Sequence, residues 1–459
     1  MAICSYIPCQ FPALPGKQRC ILHEDTENKD RDLFVETLQE YIEKSLEKSP
    51  GEVCFDTISF PRIFLLAYHI NANPKIQQVN INTCKFGDSL NLSGLRVETL
   101  NLSNNLCPKF KIENSEIGHL KLVDNYFNSI EISNSKISQL TFITYKVPGI
   151  ESPKMNSVFL ILNKIDLVEI YHVHIIFLHI SISSLQECRI LDLENSEEVL
   201  IRDTAFLGLA TFQELRPLKY FALCRCRILN PKLFSIMQSD LFHAGFKSTD
   251  VSEVTFIDNQ WRRKNQRHIH ILDELVATCS QKADKVQGPY GQVTLNQVAE
   301  TYRQLKINFE RKGNYIDAGD FHYGEMEMRR LSVPSPFRIT SIYSIYKLLG
   351  EYGESPLYAF LILAGVFVSL VFLHTLTGFY VNGLYVGYDL NLFRFFEFPS
   401  LLELSNVVKL IFGNLTLRTL DSPKLAMNFS NTLLWIFETI FGPLQIGLLA
   451  LSIKRKLRR

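Results

Sequence analysis

The sequence predicts a β-solenoid followed by an α-helical linker and a two-helix transmembrane domain, and three observations lead there. Apolar residues recur at every fifth position through the middle of the chain, helical spacing replaces that period afterwards, and two long uncharged apolar runs lie near the C-terminus. At 459 residues the chain exceeds one folding unit. Its net charge of +1 excludes a nucleic-acid binder with a broad basic surface and an acidic mimic of DNA. No nucleic-acid partner is expected.

Residues 1–30 hold four potential metal ligands, Cys4, Cys9, Cys20 and His23, spaced C-x4-C-x10-C-x2-H. Zinc takes thiolate and imidazole ligands in a tetrahedron, and the final Cys-x2-His pair is compact enough to chelate from one turn. Pro8, Pro12, Pro15 and Gly16 keep the segment irregular, and a metal orders such a segment where no core exists. Incidental thiols on a loose tail are the alternative. The interrupted apolar stretch from Met1 to Leu14 is not a secretory signal, so this part is expected in the cytosol. There, the ten cysteines are packing or metal-binding residues rather than a disulfide framework.

Residues 31–78 form a capping helix and a lead-in segment. Phe34, Val35, Leu38, Tyr41, Ile42 and Leu46 share one helical face, and Pro50-Gly51 ends the helix. A stacked core needs such a cover at its open end.

Residues 79–228 carry the repeat. Leu92, Val97, Leu102, Cys107, Ile112, Ile117, Leu122, Phe127, Ile132, Ile137 and Phe142 fall at intervals of five. With 46% apolar residues overall, eleven consecutive hits arise by chance roughly once in several thousand trials. The position two earlier is mostly apolar or small: Leu90, Leu95, Leu100, Phe110, Ser115, Leu120, Ile130, Ser135 and Leu140. After an irregular stretch at 145–153 the period resumes from Leu160 to Ile190. Five matches neither the helical period nor strand alternation, but it suits a chain that turns a corner every five residues with two side chains pointing inward. Cys84, Cys107 and Cys188 fall on inward phases as packing residues, and His172, His174 and His179 fall between them, facing out.

These pentads resemble the bacterial pentapeptide-repeat family, whose right-handed quadrilateral β-helix has four pentads per coil. The resemblance implies about six coils over Val79 to Phe206, a rod on the order of 30 Å long. Ile, Leu and Val where the family often has Ala imply an overfilled core. The resemblance also favours zinc at the terminal cluster.

Residues 229–350 read as a helical linker domain. Val298, Tyr302, Leu305 and Phe309 keep helical spacing, Gly313 breaks it, and Tyr315 to Leu331 resumes it, giving a helical hairpin. The string Tyr302 to Arg330 resembles a segment that joins pentapeptide repeats to a membrane domain in some bacterial proteins. Its charges, Glu310, Arg311, Glu325, Glu327, Arg329 and Arg330, read as a solvated helix surface with intrahelical pairs. His268-x-His270 and Cys224-x-Cys226 have no partner at metal-ligand spacing, and neither is expected to bind metal.

Residues 351–459 form the membrane module. Leu357 to Thr377 lacks Asp, Glu, Lys and Arg and is long enough to cross about 30 Å of hydrocarbon. Leu433 to Ile453 is the second span, interrupted by Glu438 and carrying Gly442-Pro443 as an expected kink. Leu401 to Leu417 between them is short and apolar, suited to a re-entrant or interfacial helix. Lys454, Arg455, Lys456, Arg458 and Arg459 after the second span place both termini in the cytoplasm of an inner or plasma membrane.

This layout resembles the pore module of two-span potassium channels, including Glu438, Gly442 and the Leu449 to Lys456 ending. The selectivity-filter position reads Gly413-Asn414-Leu415-Thr416-Leu417-Arg418, which lacks the glycine pair, and Arg418 repels cations, so potassium selectivity is not implied. Glu438, Gly442, Pro443, Asn414, Thr416 and Arg418 are the candidate pore or oligomer-contact residues, and His374 is expected to anchor a span end at the interface.

The sequence contains no Walker loop, nucleophile elbow, HExxH or dinucleotide fingerprint, so no enzyme is expected. The leading expectation is a homo-oligomeric, channel-like membrane protein whose cytosolic solenoid receives a signal or partner. The alternative is a membrane-anchored scaffold that binds a cytosolic protein through the solenoid and conducts nothing.

Overall fold

The computed structural model describes residues 4–5, 9–25, 29–61, 66–145, 154–193, 196–263, 268–279, 290–377, 379–381, 384–386, 401–416, 425–426 and 429–457. The chain divides into two compact units, Met1–Asn308 and Phe309–Arg459.

The first unit is a parallel β-solenoid of about eight turns over residues 78–257. Leu100, Leu120 and Leu140 lie in hydrogen-bonded register, twenty residues apart (120 − 100 and 140 − 120), which is four pentads per coil. From Leu90 to Phe142 both inward positions of each pentad are buried, as in Phe110 with Ile112 and Ile130 with Ile132. The interior takes large rings, and Phe110 stacks on Phe127 with centroids 5.1 Å apart. Cys84, Cys107 and Cys188 are buried packing thiols, with Cys84 pushed up to about 12 by burial.

Corners explain the period. Asn104, Asn114, Asp124 and Asn134 adopt left-handed φ of 53°, 51°, 48° and 50°, a conformation that Asn and Asp tolerate better than other side-chain-bearing residues. The residue after each corner turns a polar side chain inward onto the preceding coil. Asn125 Oδ1 accepts from the Asn105 backbone N at 3.0 Å, while its Nδ2 donates to the Leu102 carbonyl at 2.9 Å. Ser135 Oγ accepts from Ser115 N at 3.1 Å, and Ser115 Oγ from Leu95 N at 3.0 Å. These two columns satisfy backbone groups that the turns remove from the strand ladder.

The solenoid extends past the sequence-derived limits at both ends. Glu52–Asp56 already stacks on Gln78–Asn82, and the strand Thr255–Ile257 pairs with Phe234–Met237, beyond residue 228. Between Leu140 and its register partner Val168 the spacing is 28 residues, so one coil carries eight extra. At the N-terminal end helix α1 (Arg31–Lys48) buries Phe34, Leu38 and Ile42, with Phe34 against Phe60 and Tyr41 stacked on Phe55. Asp30 caps it by accepting from Asp32 N and Leu33 N. A short helix α2 (Leu66–Asn71) follows. At the other end α3 (Leu272–Cys279) and α4 (Leu295–Arg311) cover the last coils. Asp273 accepts from Phe246 N at 2.7 Å, and Asn308 donates to the Val251 and Val254 carbonyls at 2.7 Å each.

In the second unit, α5 (Tyr315–Ser332), α6 (Ser335–Arg338) and α7 (Ile342–Gly350) precede α8 (Pro356–Thr377), α9 (Leu401–Thr416) and α10 (Phe429–Leu457). Helices α8 and α10 are long and apolar enough to cross a membrane. The Glu325–Arg329 and Glu327–Arg330 pairs form within α5, but they are not a solvated surface: Glu325 is buried, and Glu327 also accepts from Lys347 and from the Tyr352 hydroxyl. Burial alone would raise the Glu327 pKa; hydrogen bonds from Arg330, Tyr352 and Lys347 outweigh it and hold it at about 2. Its stabilising effect is therefore complete above the ordinary carboxylate range and fades as pH falls toward 2.

Replacing Asn125 by Leu strands the Asn105 N–H and the Leu102 carbonyl inside the solenoid, with an expected loss of about 3 kcal/mol. Thermal melting of strand ellipticity should show this, whereas Lys109→Ala on the outer face should leave the melt nearly unchanged. Equal melts for Asn125→Leu and the parent would contradict the inward ladder.

Candidate functional site

Two sets of side chains stand out, one in each unit. At the start of the chain, Cys4 N donates to the Phe11 carbonyl at 3.0 Å and Ser5 N to the Gln18 carbonyl at 2.7 Å, folding the Pro-rich segment back on itself. This brings Cys4, Cys9, Cys20 and His23 together with all four ligand atoms within 4.8 Å of one another. Cys20 Sγ lies 3.1 Å from His23 Nδ1, Cys9 Sγ 3.6 Å from Cys20 Sγ, and Cys4 Sγ 3.8 Å from His23 Nδ1. None of these cysteines is in a disulfide. Three thiols and an imidazole converging on one point suit a soft or borderline cation.

The surroundings fix that geometry. Lys29 holds the loop by donating to the Ile21 and Leu22 carbonyls at 2.6 and 3.0 Å, and the Leu22 carbonyl accepts from Ser59 N at 3.0 Å. The His23 ring also bonds the backbone of Asp56, so its orientation is set from the first coil. Burial pushes the Cys9 thiol up to about 12, raises Cys20 and lowers His23. A bound cation would reverse the cost for the thiolates.

The second set lies between α8, α9 and α10. Glu438 is fully buried, with Oε1 2.7 Å from His374 Nε2 and Oε2 accepting from Asn414 Nδ2 at 2.8 Å. Each helix of the module contributes one member. Apolar contacts hold the three together: Leu370, Val407, Ile411 and Leu415 form a buried cluster joined by Val366, Phe367 and Leu434. Gly442 lets α10 touch α9, because a Cβ there would meet the Leu415 backbone at 2.6 Å. Nearby, Gln445 donates to the Leu349 and Ala359 carbonyls at 2.8 and 2.9 Å, and Arg455 binds Glu354 and the Tyr352 carbonyl.

Of the candidate pore residues, Glu438, Asn414 and Gly442 thus meet inside one chain. Thr416 turns its hydroxyl to the Phe412 carbonyl of its own helix, Pro443 lies within α10, and Arg418 falls outside the described residues. His374, expected to anchor a span end, is buried against Glu438, where it supplies the donor that a carboxylate among apolar helices needs.

Proximity bears on two further pairs of residues. Cys224 and Cys226 are buried, with Cys226 Sγ donating to the Ile201 carbonyl at 3.4 Å, and they belong to no ligand cluster among the described residues. His268 and His270, in contrast, do have a partner. Glu274, in the first turn of α3, places its oxygens 3.0 and 3.1 Å from their Nε2 atoms. Burial raises the Glu274 pKa, and hydrogen bonds and charge from the two histidines overcome that and hold it at about 2. A search confined to Cys and His misses this carboxylate. Comparison with known protein families, with curated proteins and with solved structures finds no match for this chain.

Glu438→Leu leaves His374 and Asn414 without their acceptor and should destabilise the detergent-solubilised membrane unit by about 3 kcal/mol. The triple change Glu438→Leu, His374→Leu and Asn414→Leu removes the stranded donors and should recover most of that loss in a thermal-shift assay. A triple variant no more stable than the single one would contradict the three-way bond.

Proposed function

We propose that the chain is a membrane-anchored interaction protein: α8 and α10 hold it in the bilayer, and the solenoid presents a binding surface to a cytosolic protein. The observation that carries this reading is that Glu438 finds both its partners, His374 and Asn414, within the same chain. A hairpin whose buried carboxylate is already satisfied can sit in lipid without a second copy or a water-filled pore. The solenoid supplies long, regular faces for contact. One is a groove of about 350 Å³ lined by residues including Gln77, Arg96, Glu98, Glu116 and Lys136. Gly118 in its lining packs so closely on the preceding coil that a Cβ there would meet the Glu98 carbonyl at 2.5 Å. Lys454, Arg455 and Lys456 directly after the second span support a cytoplasmic position for both ends. Zinc is the ion that best suits the Cys4, Cys9, Cys20 and His23 donors, in a structural role that fixes the cap onto the first coil.

The second reading is a homo-oligomeric conductance. It is favoured by α9, a short apolar helix packed against both spans, and by large apolar side chains such as Phe360, Phe372, Trp435 and Ile440 that remain exposed for contact with lipid or other copies. Full-length protein reconstituted in liposomes separates the two. The anchored reading expects carbonate-resistant association with vesicles, lost on deletion of residues 356–457, and no conductance above empty liposomes. Currents that Glu438→Ala abolishes would overturn it in favour of the conductance.

For the terminal cluster, Cys20→Ser should lower bound zinc by one equivalent per chain in elemental analysis and lower the melting temperature of the first unit. Unchanged zinc content would contradict a metal held by these four residues.

A further inference from the structure

We propose that His268, His270 and Glu274 form a second metal centre, separate from the terminal cluster, which binds a divalent first-row ion of the zinc type and staples α3 to the extended segment before it. The spacing has a local cause. His268 and His270 are two apart in extended chain, so their side chains share a face, and Glu274 follows four residues after His270 at the start of α3. The turn into the helix brings the carboxylate back over both rings, whose centroids are 4.6 Å apart.

The distances fit a shared ion. His268 Nε2 lies 3.0 Å from Glu274 Oε2 and His270 Nε2 3.1 Å from Oε1, with all three ligand atoms within 4.8 Å of one another. Bonds of about 2.0–2.2 Å to a tetrahedral ion put neighbouring donors about 3.3–3.6 Å apart, so a small outward turn of the rings admits the ion. His270 Nε2 is buried and faces the Glu274 carboxylate at 3.1 Å, so the ring is already turned toward the point the three ligand atoms share. All three residues are more than nine-tenths buried, at 8%, 7% and 3% exposure.

The support around the ligands is also that of a built site. The Tyr302 hydroxyl donates to Glu274 and lies 2.9 Å from the Ile269 carbonyl, and the whole side chain is buried, which fixes both the carboxylate and the backbone between the histidines. Next to Glu274, Asp273 accepts from Phe246 N of the solenoid and from the Tyr290 hydroxyl at 2.6 Å, so the helix bearing the ligand is seated on the last coils. Two imidazoles and one carboxylate select zinc and its first-row neighbours over magnesium or calcium. Three protein ligands leave one coordination position for water.

The test uses full-length protein in detergent carrying Cys4→Ser, Cys9→Ser and Cys20→Ser, which removes the thiolate cluster. This chain should retain one equivalent of zinc after dialysis, against two for the parent. X-ray absorption at the zinc edge should show two imidazoles and no sulfur. Adding Glu274→Gln, which keeps the size of the side chain, should weaken zinc binding at least about tenfold with strand ellipticity preserved. If that variant fails to fold, the absorption spectrum of the triple-serine chain decides alone. A folded triple-serine chain that holds no zinc, or holds it without imidazole ligands, overturns the proposal.

Discussion

Burying a polar group is costly unless it finds a partner, and much of this architecture follows from how that cost is met. A solenoid that turns sharply every few residues breaks its own strand ladder at each corner. The inward Asn and Ser columns replace the lost hydrogen bonds coil by coil, with Asn125 bonded to Asn105 and Ser135 to Ser115. Side-chain burial supplies the driving force, but these columns fix the register, since a slip of one residue would put Asn105 and Asn125 where an apolar side chain must go.

The second unit meets the same cost with fewer residues. A carboxylate between apolar helices is tolerable only when donors reach it at its own depth, and His374 from α8 and Asn414 from α9 do so. This bond joins the three helices, and Gly442 permits the close approach of α10 to α9. Arg455 with the buried Glu354, and the half-buried Glu327 with Lys347 and Tyr352, repeat the pattern. A polar residue inside a long apolar helix need not signal a permeation path when its partners are already at hand.

Much of the fold was legible in the period of five, because coils of twenty residues keep the inward positions in one phase from Leu92 to Phe142. The ends were less legible for a stated reason. Cys188 pairs with Ala210 and Ala210 with Phe234, spacings of 22 and 24 residues, so the extra residues shift the phase while the strands continue to Ile257. Asn105 and Asn125 broke the inner apolar column in the sequence, and only coil stacking reveals that they bond to each other. The terminal ligand set could be read because its four members lie within twenty residues of chain. Glu438 stood out as a lone carboxylate, but its partners lie 64 and 24 residues away and cannot be paired from spacing. Glu274 escaped for the opposite reason: it is close in sequence to His270, but a carboxylate at that spacing is commonplace on helices.

The most direct test of this account is solid-state NMR of the full chain in bilayers, measuring the dipolar coupling between His374 Nε2 and the Glu438 side-chain carboxyl carbon. The account expects a contact of under about 4 Å, the reach of a single hydrogen bond, that persists unchanged when labelled chains are diluted into unlabelled ones. A coupling that is absent, or that disappears on dilution because the partner belongs to another copy, would contradict it.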